Sequence, residues 1–295
     1  MANLRDVRLR MRAITQTLQV TKAMNLISTA KLRKGRRVLE DTEPYFTRIQ
    51  KSMFDILSGA GNVQSGFLKA REPGDSYHTA VVVITSDKGL AGGYNANVFR
   101  EVMELCDKVK NPILILIGAI GQRYFVHTPY LILENFSFRS QMPTVENAKE
   151  IADYLISQFE WGMFDEVHIV YTHMYSTIKL LPTVRKILPL DLARRKEELS
   201  KAEGQDRVDL RFEFLPSADE VFNTLVPLYI NGIVYGALVE AYVSEQSARM
   251  AAMDEASKSA EDMLANLQIS YNRARQAGIT QEMSEIISGS AAQNK

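Results

Sequence analysis

Two stretches at opposite ends of the chain place residues every three and four positions, and this constrains the fold more than any other feature. Near the N-terminus, Leu4, Val7, Met11, Ile14 and Leu18 are spaced 3, 4, 3, 4, the seam along which two helices pack lengthwise. Arg5, Arg8, Arg10 and Arg12 fall off that stripe. Near the C-terminus, Met250, Met253, Ser257, Ala260, Leu264, Leu267, Tyr271, Ala274 and Gly278 keep the same register. Several of these are small, so a second helix can approach closely. Each seam must be buried, and within the chain each is the other's only candidate partner. The two helices are therefore expected to pair antiparallel, with everything between them lying where the chain turns back.

Both helices read as long. No glycine precedes Gly35 and no proline precedes Pro44, so the first helix is expected from about Asn3 to Ser58, roughly 80 Å at ~1.5 Å per residue. Pro44 lacks an N–H and crowds the preceding turn, so it is expected to kink or interrupt the helix, with Tyr45 onward helical again. The last helix is expected from Ser217 to about Ser288, opened by Ser217 and Glu220 as a capping box. Pro227 is expected to kink it or to mark a later start.

Between them, Gly59, Gly61, Gly66, Pro73 and Gly74 mark a loop. From Tyr77 to Leu192 strand and helix alternate. Ala80–Thr85, Ile113–Ile117, Leu131–Phe136 and Glu166–Tyr171 read as strands, and Lys179–Leu188 as a further one beside them. Asn95–Val109, Gly118–Phe125 and Val145–Trp161 read as helices. The β-branched runs AVVVIT and ILILI suit strands buried on both faces. This rhythm argues for a mostly parallel, three-layer, Rossmann-like α/β domain. Residues 193–209 are highly charged and read as an exposed excursion, followed by an edge strand at Arg211–Leu215. The fold class is thus α/β: a long antiparallel coiled coil plus a Rossmann-like domain. Its divisions are 1–58 (first helix), 59–76 (linker), 77–215 (α/β domain) and 216–295 (last helix).

Net charge points to no partner, since Lys plus Arg and Asp plus Glu both number 35. Distribution says more: residues 1–37 hold ten basic side chains and one acidic, Asp6. This favours an acidic partner surface. The basic run Lys31, Arg33, Lys34, Arg36, Arg37 has no interleaved aromatics to stack bases, which argues against nucleic acid. Cys106 is the single cysteine, so an internal disulfide is excluded. The N-terminus has no apolar core of a secretory signal. The apolar stretch Leu225–Val243 is interrupted by Asn231 and Glu240 and reads as a buried helix rather than a membrane span.

Chemistry-bearing patterns are sparse. The loop Thr85-Ser-Asp-Lys-Gly-Leu-Ala-Gly-Gly-Tyr-Asn sits between strand and helix, where phosphate loops lie. Gly89, Gly92 and Gly93 do not make G-x-G-x-x-G, and Lys88 precedes the glycines instead of following them. The loop reads as a tight turn or as a vestigial anion site. His78, His127, His168 and His173 form no metal-ligand pair on one helix. No nucleophile–base arrangement is legible, so no catalytic residue, cofactor or metal is expected.

Three segments resemble the gamma subunits of rotary F-type ATP synthases, of the bacterial type. Val20-Thr-Lys-Ala-Met-Asn-Leu-Ile-Ser-Thr-Ala-Lys-Leu-Arg is similar to the family's I-T-K-A-M-x-M-V-A-A-x-K-[LM]-R. The Thr85–Asn95 loop is similar to T-S-D-[RK]-G-L-C-G-[GA]-[FYL]-N. The third is Ser244-Glu-Gln-Ser-Ala-Arg-Met-Ala-Ala-Met, continuing through Ser270-Tyr-Asn-Arg-Ala-Arg-Gln-Ala-Gly-Ile-Thr-Gln-Glu-Met-Ser-Glu-Ile-Ile-Ser-Gly. Departures are small: Ser290 stands where Ala is usual, and Ala91 replaces a frequent Cys. The chloroplast type's inserted cysteine pair is absent.

The resemblance implies a non-catalytic rotor shaft that carries rotation of a membrane c ring to the catalytic sites of an alpha3–beta3 hexamer. It implies partners in alpha and beta (3:3:1), epsilon and the c ring, a place on the cytoplasmic face of the bacterial membrane, and membrane association only through the ring. Carried over by motif, the beta contacts are Lys22, Met24, Arg249, Arg275, Gln276, Thr280 and Glu282, and the c-ring contacts are Phe212 and Phe214. Two other classes compete. A structural coiled-coil scaffold explains the seams but not the motifs. A nucleotide-binding enzyme needs the glycine fingerprint that is missing.

Overall fold

The computed structural model describes residues 4–59, 63–71, 74, 76–136, 142–177, 179–190 and 214–293. Helix α1 spans Leu4–Gly59 and the last helix, α5, spans Ala218–Gln293. Between them lie β1 (Thr79–Ile84), α2 (Tyr94–Cys106), β2 (Pro112–Ile117), α3 (Ala119–Phe125), β3 (Leu131–Phe136), α4 (Val145–Glu160), β4 (Glu166–Met174) and β5 (Leu180–Leu188). Residues 1–29 with 249–295 form one compact unit and residues 30–248 another.

In the first unit α1 and α5 run antiparallel. Asn25 Nδ2 donates to the Met250 carbonyl at 3.0 Å, Ser257 Oγ to Thr21 Oγ1 at 2.8 Å, and Arg8 to the Tyr271 hydroxyl at 2.8 Å. Numbers rise on one helix as they fall on the other. The seam is buried where the helices overlap: Val7, Thr21, Ser28, Met253, Ser257 and Ala260 are all under 9% exposed.

Neither proline interrupts its helix. Pro44 lies inside α1 and Pro227 inside α5. The reason is tertiary. The 3–4 spacing continues through Leu32, Gly35, Leu39, Thr42, Phe46, Ile49, Met53 and Ile56, every one buried or half-buried, and Pro44 falls off that stripe on an exposed face. Losing one backbone bond costs less than exposing the seam on both sides. Pro227 is flanked by Val226 and Ile230, both fully buried. The Ser217 cap forms as expected, its Oγ accepting from the Glu220 N–H at 3.2 Å.

The second unit is built on a five-stranded sheet in the order β3-β2-β1-β4-β5. Strands β1 to β4 are parallel, and β5 returns antiparallel to β4. Val81, Val83, Leu114, Leu116 and Val170 meet Val98, Val102 and Cys106 of α2 and Phe125 of α3 in one core. The alternate residues Val82, Ile115 and Ile169 are equally inaccessible, so the sheet is covered on both faces. The chain steps from β1 to β3 in one direction and back to β4 in the other. With right-handed crossovers, α2 and α3 share one face and α4 takes the other.

The expected strand boundaries hold to within a residue or so, except that β4 extends to Met174 because it pairs with β5 out to Leu180. Helix α2 stops at Cys106 rather than Val109: the N–H groups of Asp107, Lys108 and Val109 turn back to the carbonyls of Met103 and Leu105. In the loop before the sheet, Ser65 caps a short 3-10 turn, Gly66–Leu68, that buries Phe67. The charged run at 193–209 lies outside the described residues, as does most of the Arg211–Leu215 strand, and Phe214 and Leu215 are not in a strand. Helix α5 contains an 18-residue window of mean hydropathy 1.4, of which 56% is buried within the protein, consistent with a core helix.

Candidate functional site

The loop at the carboxyl end of β1 lies where doubly wound sheets bind ligands, beside the strand at which the sheet order reverses. Here the chain itself fills that position. Asp87 Oδ1 accepts from the Ala119 N–H at the start of α3, 3.1 Å away. Thr85 Oγ1 donates to the Ile117 carbonyl at 2.8 Å and accepts from the Gly121 N–H at 3.0 Å. Gly118 has φ +97, and a Cβ there would lie 2.2 Å from the Thr85 carbonyl oxygen. The glycine is required by both conformation and space. Asn95 is hydrogen-bonded to Ser86. Of the two readings of this loop, the tight structural turn accounts for these contacts, and Asp87 supplies the anion.

His168 and Cys106 are buried or half-buried in the fold, whereas His127 is exposed. His168 lies 3.2 Å and Lys186 2.6 Å from Glu166 Oε1. The His168 imidazole, aided by Lys186, holds the Glu166 carboxyl at about 2 against the opposing effect of burial. Burial pushes the Cys106 thiol up to about 12, with Asp107 adding to the rise. Among the described residues no three His, Cys, Asp or Glu side chains gather as a metal site.

The residues of the two long helices singled out as contacts fall into two groups, both in the first unit. Lys22 is exposed and pairs with Glu261 at 2.7 Å. Met24 is half-buried beside the seam. Arg249 is only 7% exposed and is engaged within the chain. Arg275, Gln276, Thr280 and Glu282 are exposed on α5, about 40 Å farther along at ~1.5 Å per residue, and Thr280 Oγ1 donates to the Gln276 carbonyl. In the second unit, Phe214 is half-buried and lies near Gly59. Phe212 lies outside the described residues.

Sequence reasoning missed two features. One is Glu261, whose meeting with Lys22 depends on the helix register. The other is an apolar stripe at the end of α5, where Ile279, Met283, Ile286 and Ile287 are 50–71% exposed. Their 4, 3 spacing was readable, but polar neighbours masked it. Among the described residues α1 begins at Leu4, and on α5 the half-buried positions of the seam end at Ala274.

Comparison with known proteins follows the whole chain. A family model described as ATP synthase matches residues 3–293. The ATP synthase gamma chain of Acetivibrio thermocellus is 42% identical over 293 residues, 99% of each chain. That of Ruminiclostridium cellulolyticum is 43% identical over 291 residues, 98% of each. The sodium-ion-specific gamma chain of Acetobacterium woodii is 37% identical over 304 residues, 99% of each. Among solved structures, a chain of the Euglena gracilis mitochondrial ATP synthase aligns with TM-score 0.66 at 18% identity, covering 98% of this chain and 94% of that one. A chain of the Tetrahymena thermophila central stalk and c-ring assembly aligns with TM-score 0.58 at 23% identity, covering 81% and 99%. At those identities the likeness is one of fold.

Proposed function

This chain belongs to the ATP synthase gamma-chain family, and from that membership we propose that it turns as the central shaft of the complex, without a catalytic site of its own. The c ring drives it, and alpha and beta subunits in a 3:3:1 complex surround its paired helices. Epsilon joins it at the α/β domain, and the assembly stands on the cytoplasmic face of the membrane. The nucleotide chemistry belongs to the surrounding subunits.

The observation that carries this reading is the end of α5. Residues 275–287 are exposed throughout and carry both the polar group Arg275, Gln276, Thr280, Glu282 and the apolar stripe Ile279, Met283, Ile286. An uncovered stripe of this kind calls for a surrounding partner. The basic side of α1, with Lys22 and Met24, offers a second contact level to an acidic partner. An asymmetric shaft meets three identical subunits differently. Each contact free energy then biases one catalytic site toward a different state, and turning the shaft cycles those states. Phe212 and Phe214 are proposed to face the ring.

The test is co-expression with alpha and beta subunits of the same source, with ATP hydrolysis measured for the full chain and for one ending at Ala274. A 3:3:1 complex whose turnover drops on truncation supports the shaft role. Failure to form any complex with alpha and beta sinks it.

A further inference from the structure

The second unit holds α5 by a stripe of polar contacts on an otherwise apolar segment. Ser244 Oγ donates to the Thr172 carbonyl of β4 at 2.9 Å, and Ser247 Oγ to the Thr177 carbonyl in the β4–β5 turn at 3.0 Å. The Tyr94 hydroxyl at the start of α2 donates to the Ala241 carbonyl at 3.2 Å. His173 Nδ1 of β4 pairs with Glu240. Positions 240, 244 and 247 recur at helical spacing, so one side of α5 faces these groups. The contacts come from three separate elements at the carboxyl end of the sheet, the place a doubly wound fold reserves for a ligand.

Close fit, as where Gly232 meets the Phe46 ring, restricts the helix's rotation about its own axis at single points, but burial along the rest of that segment does not set it. Ile230, Ile233, Val234, Leu238, Val239 and Val243 are 0–5% exposed and point in every direction around the helix. Burial of a helix that is apolar all round gives no preferred rotation. Hydrogen bonds do, because they weaken steeply when bent. Ser244 and Ser247 are both fully buried, so slipping would strand their hydroxyls and the carbonyls they serve without water to replace them.

We infer that the stripe Glu240–Ser244–Ser247, gripped by His173, Thr172, Thr177 and Tyr94, is the joint that transmits torque between the α/β domain and α5. It also gives a role to the tyrosine of the Thr85–Asn95 loop. The inference rests on the shaft role proposed above. These are positioning residues, and they touch no nucleotide.

The test uses the complete complex in sealed vesicles, with ATP hydrolysis and ATP-driven ion translocation measured together against an opposing gradient. The triple variant Tyr94→Phe/Ser244→Ala/Ser247→Ala is expected to keep hydrolysis within about twofold of the parent while ions moved per ATP fall by about threefold or more. Tyr94→Phe/Ser247→Ala is expected to fall by less, in the same direction, and it decides the question if the triple variant does not assemble. An unchanged ratio of translocation to hydrolysis overturns the joint. Equal translocation by parent complexes with and without this chain overturns the shaft role itself.

Discussion

Ser257 Oγ donates to Thr21 Oγ1 at 2.8 Å across the paired helices, and Thr21 in turn donates to the Leu18 carbonyl at 3.0 Å. The two hydroxyls sit inside the seam, 8% and 7% exposed. Apolar seams slide with little penalty, and a buried polar pair admits one register.

Replacing Thr21 by Val removes the acceptor, but Ser257 Oγ also lies 2.8 Å from the Met253 carbonyl and keeps a partner. The loss is therefore expected at the low end for a buried hydrogen bond, about 1 kcal/mol. With that bond already gone, adding Ser257→Ala should cost little more. A double-mutant cycle by denaturant unfolding should return a coupling of about 1 kcal/mol, and a value near zero contradicts the pairing.

Two glycines of α5 should respond oppositely to alanine. A Cβ on Gly232 would lie 2.2 Å from Phe46 Cδ1, and that ring packs against Tyr45 and Tyr235. Gly232→Ala should lower stability by about 1–3 kcal/mol despite alanine's better helix propensity. Gly236 has no neighbour within 4 Å of its would-be Cβ, so Gly236→Ala should be neutral or stabilising by up to ~1 kcal/mol. Thermal melts of the two variants should separate in opposite directions.

Lys22 and Glu261 are 56% and 52% exposed, and an ion pair so wet contributes little to stability. Lys22→Ala and Glu261→Ala should each shift unfolding by less than ~0.5 kcal/mol. If Lys22 meets an acidic partner, Lys22→Glu should lower turnover of the assembled complex far more than Glu261→Ala does. Equal effects would make the lysine merely a helix-pairing residue.

Glu166 stays ionised in the folded chain down to about pH 2, against an ordinary value of 4.5. The unfolded state therefore binds the proton first. The stabilisation is fully present above about pH 4.5 and is lost as pH falls through 2. It should amount to about 2 kcal/mol, less than the whole shift because solvent still reaches part of the carboxyl. Unfolding free energies measured across that window should fall less steeply for Glu166→Gln.

Cys106 is 5% exposed and its thiol is pushed up to about 12. At neutral pH it should react with thiol reagents orders of magnitude more slowly than a free cysteine, and reach full reactivity on unfolding. Rapid labelling of the native chain would show that α2 opens.

Much of the architecture was legible because it rests on local repetition. The 3, 4 spacing at each end announced the two long helices, and runs such as Ala80–Thr85 and Ile113–Ile117 announced strands buried on both faces. Pro44 and Pro227 misled as helix interruptions, since their local cost is visible in the sequence and the packing that overrides it is not. The glycine-rich loop left two readings open, because nothing in its own spacing reveals that Asp87 reaches Ala119, 32 residues on.

By itself, then, the sequence determined the elements, their order, the antiparallel pairing of the ends and, through its motifs, the family. These depend on periodicity and on residue types, which a chain carries whether folded or not. The tertiary structure decided what depends on distance between remote residues: the register set by Thr21 and Ser257, the burial of Arg249, the exposed apolar stripe from Ile279 to Ile287, and the seating of Ser244 and Ser247 on the sheet. Directional bonds between groups tens to hundreds of positions apart leave no periodic trace, because they come into being only when packing brings both partners within about 3 Å.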